Sequence, residues 1–133
     1  MLSRNNIPRQ HLTPLEQLVM DYVWAHPDVT AEACREGVAG QRALKESTMR
    51  TILHNLEEKG YVTHTVEGRT YVYRALETRR SVAVRATQQI IDRFCGGSAE
   101  ELLIGLVDSR VLKPRQLEQL TAEIATARKE KKP

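Results

Sequence analysis

The chain has 133 residues, 41% of them hydrophobic and 28% charged, with a formal net charge of +3. That length holds one domain, or one domain with a dimerisation appendage. With no signal peptide and no apolar run near the roughly 18 residues of a membrane span, the sequence predicts a soluble, cytoplasmic protein without a membrane partner.

The charge is spread evenly. Residues 1–76 carry nine Lys/Arg and nine Asp/Glu, and residues 77–133 carry eleven and eight. A nucleic-acid partner therefore has to be argued from local placement. Cys34 and Cys95 fall in different predicted helices without CxxC spacing and read as two reduced, partly buried thiols.

Residues 1–11 are polar and basic without a period, and are expected to form a flexible arm. Thr13-Pro14-Leu15-Glu16 then opens a helix: Thr as N-cap, Pro at the first helical position, Glu completing a capping box. That helix runs to about Ala25 with Leu15, Leu18, Val19, Tyr22 and Val23 as its apolar stripe. His26-Pro27-Asp28 breaks it, because the residue before Pro is pushed out of the α region. Val29-Thr30 suits a short strand. Thr30 caps a second helix whose inner face is Ala31, Cys34 and Val38, and Gly40-Gln41-Arg42 is the turn after it.

The third helix carries the most information. Met49, Ile52, Leu53 and Leu56 recur at i, i+3, i+4 and i+7, an apolar stripe on the helical period. The opposite face bears Ser47, Arg50, Thr51, His54 and Asn55, short hydrogen-bonding groups and a cation rather than the usual mixture of Glu and Lys. Lys59-Gly60 ends it, with Gly able to take the left-handed C′ position. Tyr61 to Val66 reads as a strand, Glu67-Gly68 as a tight turn and Arg69 to Ala75 as a second strand. Helix, helix, turn, helix, hairpin is the order of a winged helix-turn-helix. In that geometry the third helix enters the DNA major groove. Thr48, Arg50, Thr51 and His54 are placed for base edges, Lys45 and Ser47 for phosphates, and Arg69 for a phosphate or the minor groove. A winged-helix module that docks protein and never touches DNA would carry the same elements.

From Glu77 the character changes. Ala83, Ala86, Ile90 and Phe94 define a fourth helix ended by Gly96-Gly97. Ser98-Ala99-Glu100-Glu101 is a second capping box, opening a helix that buries Leu102, Leu103, Leu106 and Val107. Lys113-Pro114 opens a last helix with Leu117, Leu120 and Ile124 in line, and Arg128 to Pro133 is expected to fray. Three small amphipathic helices are marginal alone, so Ile90, Phe94, Leu102, Leu103, Leu106, Leu117, Leu120 and Ile124 are expected to close against a second copy, the alternative being that they pack back onto the winged domain within one chain. The chain thus reads as mainly α with a small β-wing: an arm (1–11), a winged-helix DNA-binding domain (12–76) and a three-helix dimerisation segment (77–133).

The runs STMRTILHNLEEKGYV, EGRTYVYRAL and FCGGSAEELL resemble the signature of the penicillinase repressor family, the regulators of β-lactam resistance and their relatives. The resemblance spans about Leu12 to Leu120. It implies a homodimeric repressor on a near-palindromic DNA operator, and no enzyme activity. It also implies a regulatory protease as partner, cutting within the helix after the GGS motif. Characterised members are cut at an Asn-Phe bond, and the equivalent bond here is Gly105-Leu106. Some relatives sense copper through a Cys-rich C-terminus. This tail, ATARKEKKP, has no cysteine, and His11, His26, His54 and His64 do not pair with cysteines at metal-ligand spacing, so no metal or cofactor is expected. No Gly-rich phosphate loop, carboxylate pair or Ser/His/Asp set stands out.

Overall fold

The computed structural model describes residues 11–131, so all but the last residue of the expected N-terminal arm lies outside the described part. The described elements are α1 (Pro14–Ala25), α2 (Ala31–Val38), α3 (Glu46–Glu58), β1 (Val62–Glu67), β2 (Thr70–Ala75), α4 (Arg79–Phe94), α5 (Ala99–Asp108) and α6 (Pro114–Lys131). The chain forms two compact units divided within α4, between Ala86 and Thr87.

In the first unit, local chemistry sets the ends of the elements. Thr13 accepts from the Glu16 N–H at 3.1 Å and Glu16 returns a bond to the Thr13 N–H at 2.9 Å, the expected capping box. His26 is extended, and Pro27 keeps α1 from continuing. Thr30 caps α2 through the Ala33 N–H. At the end of α3, Gly60 takes φ +86°. There the Gly60 N–H donates to Glu57 O and the Tyr61 N–H to Leu56 O, a Schellman closure.

β1 and β2 pair antiparallel with Val62 opposite Ala75 and Glu67 opposite Thr70. The expected turn shifts by one residue: the loop is Gly68-Arg69, not Glu67-Gly68. Tyr61 belongs to the closure of α3 rather than to the strand, and Gly68 supplies the positive φ (+66°) that the two-residue loop requires at its first position. Val29 joins the hairpin as an isolated bridge to Tyr73, its N–H and C=O both engaged.

The core is Val19, Met20, Val23, Val29, Cys34, Val38, Met49, Ile52, Leu53, Leu56, Tyr61, Val62 and Tyr73. All four residues of the α3 stripe are buried. In α1 only Val19 and Val23 of the expected stripe are fully buried. Leu15, Leu18 and Tyr22 flank the core and are half-buried, while Met20 lies inside. Tyr22 leans instead over Gly37, where a Cβ would fall 2.0 Å from the ring, and stacks on His26 at 4.0 Å. Burial pushes the Cys34 thiol up to about 12, which keeps it inert.

The second unit is thinner, and α4, which runs across the division, shares its lack of burial. No residue of α4 or α5 is buried, and Ala83 and Ala86 in the first unit and Ile90 and Phe94 in the second all lie exposed. Leu102, Leu106, Val107 and Leu117 are half-buried, whereas Leu103, Leu120 and Ile124 are exposed; a single chain does not bury the expected stripes. Gly96 and Gly97 end α4 with successive positive φ values. The Ser98 side chain caps α5 through the Glu101 N–H, a one-sided cap rather than a reciprocal box. Arg110, at φ +67°, closes α5 where Gly would be the easier choice. α6 continues through Arg128 to Lys131.

One buried charge pair was not legible in the sequence. Glu16, 5% exposed, receives the Lys59 ammonium at 2.6 Å, tying α1 to the residue after α3. Burial by itself would raise the Glu16 pKa, but the bonds from Lys59 and Thr13 outweigh it and hold the carboxyl below its usual value of 4.5. The unfolded chain then takes up this proton more readily than the folded one. The pair's stability is complete above about pH 4.5 and is lost as pH falls through the lowered folded value. Lys59→Met should cost about 1–3 kcal/mol in urea unfolding at pH 7 by leaving a buried carboxylate unpaired. The same variant should lose less than the wild type between pH 5 and pH 3.

Candidate nucleic-acid interface

α3 presents a polar face because its apolar stripe is used up by the core. Lys45, Ser47, Arg50, Thr51 and His54 are exposed. Thr48 is half-buried at the margin of the stripe. Lys45 is the N-cap residue in extended conformation and makes no side-chain cap bond, which leaves the first-turn N–H groups of α3 available to an anion. Thr51 donates to Ser47 O at 3.1 Å, within the helix.

Arg50 is engaged with Glu46, one turn earlier, at 2.8 Å, both side chains more than half exposed. An exposed pair of this kind is worth about 0.3–0.5 kcal/mol. A bidentate guanine contact is worth about 1–3 kcal/mol, so Arg50 can leave Glu46 for a base at net gain.

The wing brings a second set of groups to the same place. Arg50 and His54 of α3, Arg69 in the hairpin loop, Thr70 and Tyr71 on β2, and Glu32 at the start of α2 line one open cleft. Its acids are not bare. Glu32 is bonded by Arg35, which lowers the Glu32 pKa, and Glu46 is bonded by Arg50. The concavity between helix and wing therefore carries Arg69 together with Arg50, whose pair with Glu46 is local and exposed.

The penicillinase repressor family model matches residues 12–126. The chain belongs to that family. It is a DNA-binding transcriptional repressor and not an enzyme. Among similar proteins, an uncharacterised 16.5 kDa protein of Latilactobacillus sakei is 31% identical over 120 residues, covering 87% of this chain and 82% of that protein. The methicillin resistance regulatory protein MecI of Mammaliicoccus sciuri is 21% identical over 109 residues, covering 82% and 89%. A complex structure of hsRosR covers 90% of this chain and 95% of its own at 15% identity and a TM-score of 0.51, a likeness of fold alone.

For this penicillinase repressor family member, sequence reading reached Arg50, His54 and Arg69, and the structure brings these three to one cleft. It passed over Thr70 and Tyr71, which looked like ordinary strand residues. The cross-strand register, with Tyr71 opposite Val66 at the exposed end of the hairpin, is what sets them apart.

Replacing Arg50 with Ala should weaken DNA binding by about 1–3 kcal/mol and relax preference at one base position, read by competition with single-base variants of the bound site. Lys45→Ala should instead weaken all sequences alike and lower the salt slope by about one. Wild-type binding by both variants would show that α3 is not the reading element.

Proposed function

We propose that the chain acts in the cytoplasm as a homodimer on a near-palindromic operator, repressing genes of the β-lactam resistance type. Residues 12–76 read the DNA and residues 77–133 hold the dimer. The observation that carries the first half is the exposed face of Ser47, Arg50, Thr51 and His54 on a helix whose other face is wholly buried, with Arg69 on the adjoining wing. Two such helices related by a dyad call for two half-sites.

The dimer rests on a different observation. Phe94 is 79% exposed, and Ile90, Leu103, Leu120 and Ile124 are exposed beside the half-buried Leu102, Leu106 and Leu117. Large apolar groups left in water at this density favour association with a second copy. DNA affinity then depends on both half-sites being held at once, and loss of the dimer removes that avidity.

Release by a regulatory protease is the mode of induction we favour. The bond Gly105-Leu106 lies inside α5, so cutting requires that helix to open locally. Cleavage would separate α6 from the winged unit without touching α3, and affinity would fall by an avidity factor on the order of 10²–10⁴.

Leu120 is 44% exposed in the single chain, so Leu120→Asp should leave the fold intact while placing an unpaired carboxylate in the interface. Sedimentation should then show a monomer with weakened operator binding, and a wild-type chain that is itself monomeric at micromolar concentration would refute the dimer. For induction, cells exposed to a β-lactam should yield fragments ending near Gly105 by mass spectrometry. Derepression with the chain uncut would point to a bound effector.

A further inference from the structure

The hairpin is anchored at its base and bare at its tip. Val62 and Tyr73 lie in the core, whereas Val66 and Tyr71, the last cross-strand pair on their face before the loop, are 56% and 49% exposed. Cross-strand partners share a face, so Val62, His64, Val66, Tyr71, Tyr73 and Ala75 line the same side of the wing. On that side, between base and tip, stands His64. Its Nδ1 lies 2.8 and 2.9 Å from the two carboxylate oxygens of Glu57, in the last turn of α3. A carboxylate only accepts, so Nδ1 carries the proton and donates. The imidazole stacks flat on Tyr71, centroids 4.2 Å apart and planes at 7°, and meets Tyr73 at 5.6 Å. Tyr71 is two residues from Arg69 in the loop and lines the cleft with Arg50 and His54.

We propose that the Glu57–His64–Tyr71 stack is a positioning device that sets the wing tip, and with it Arg69, at a fixed reach from α3. The inference rests on the DNA-reading function of α3 and the wing. Glu57 is fixed by its helix, and His64 is fixed by Glu57. The ring of Tyr71 lies flat on that held imidazole, in a stacked arrangement that such ring pairs favour over a face-to-face sandwich. Beyond Tyr71 no side chain of the tip is buried, so the stack is the last point on this face at which the hairpin's direction is determined from within the first unit. On the opposite face Arg74 meets Asp28 at 3.2 Å and Thr65 at 3.5 Å, which holds the hairpin's base to the segment after α1 but makes no link to α3. Recognition helix and wing must meet the duplex together, and an arginine carried on a freely swinging tip would give up ordering entropy on every encounter. The stack removes that loss before DNA arrives. In this view His64 and Tyr71 specify affinity through Arg69 rather than by contacts of their own.

The test is a double-mutant cycle with the full chain and a double-stranded fragment spanning the promoter of its own gene. Arg69→Ala, His64→Ala, Tyr71→Ala and the two pairwise combinations with Arg69→Ala are compared by fluorescence anisotropy. Urea midpoints confirm that each variant is folded; Tyr71→Ala, at a half-exposed site, is the safeguard if His64→Ala is not. Each single substitution is expected to weaken binding about fivefold or more, and each double to bind no worse than Arg69→Ala alone, as coupled neighbours do. Tyr71→Phe, which keeps the stack, should bind as the wild type does. Losses that multiply in the doubles, or a Tyr71→Phe variant as weak as Tyr71→Ala, would mean that the rings act on their own account and overturn the proposal while leaving the DNA-reading function intact. Wild-type affinity in Arg69→Ala would also overturn it, since the stack would have nothing to position. Failure of the wild-type chain to bind the fragment at all would reject the underlying function together with it.

Discussion

Burial of one face of α3 is the constraint on which the rest of the first unit depends. Met49, Leu53 and Leu56 are fully enclosed and Ile52 nearly so, and the helix packs against α1, α2 and β1 at once. Each such side chain contributes about 1.5–3 kcal/mol over leaving it in water. A rotation of α3 about its axis would forfeit several of these together. The polar face is therefore held outward by the apolar one, and Arg50, Thr51 and His54 point where they do because four other residues have no alternative place to go.

The two ends of α3 are held differently. Its C-terminus is closed by Gly60 and Tyr61 and tied to α1 by the Lys59–Glu16 pair. Its last turn also holds the wing through Glu57 and His64. The N-terminus has no side-chain cap and, among the described residues, its ion pair is the exposed one between Glu46 and Arg50. Stability is concentrated at the end away from the proposed bases, and the end that would meet DNA keeps its N–H groups and its arginine weakly committed. A helix capped at both ends would be more stable alone and less able to receive a phosphate.

The second unit shows the opposite economy. Its helix boundaries are well marked by Ser98, Pro114 and the paired glycines, yet none of its described residues is buried. Local signals suffice to make helices here but not a core. Within the first unit, Trp24 donates its indole N–H to Glu77 O and lies under Arg79, so the start of α4 is fastened to α1.

Much of this was legible in the residues themselves. The period of Met49, Ile52, Leu53 and Leu56, the Thr13–Glu16 box and the Lys59-Gly60 stop are local codes: each depends on neighbours within one or two helical turns, so spacing alone reveals them. The family motifs over α3 and the hairpin added the function in the same way. What the linear order could not supply are relations between distant positions. Lys59 reads as a helix-end cation until folding brings Glu16, 43 positions earlier, to 2.6 Å. His64 reads as a strand residue until the Val66–Tyr71 register lays the Tyr71 ring over it and the α3 terminus delivers Glu57. A one-residue shift in the loop moved Arg69 from strand to tip, because in a two-residue loop the positive φ falls on Gly68. Sequence by itself determined which faces are apolar and where the helices start and stop, since those are matters of period and capping. Only the tertiary structure decided which polar groups meet, because contact across the chain is set by how the apolar faces pack.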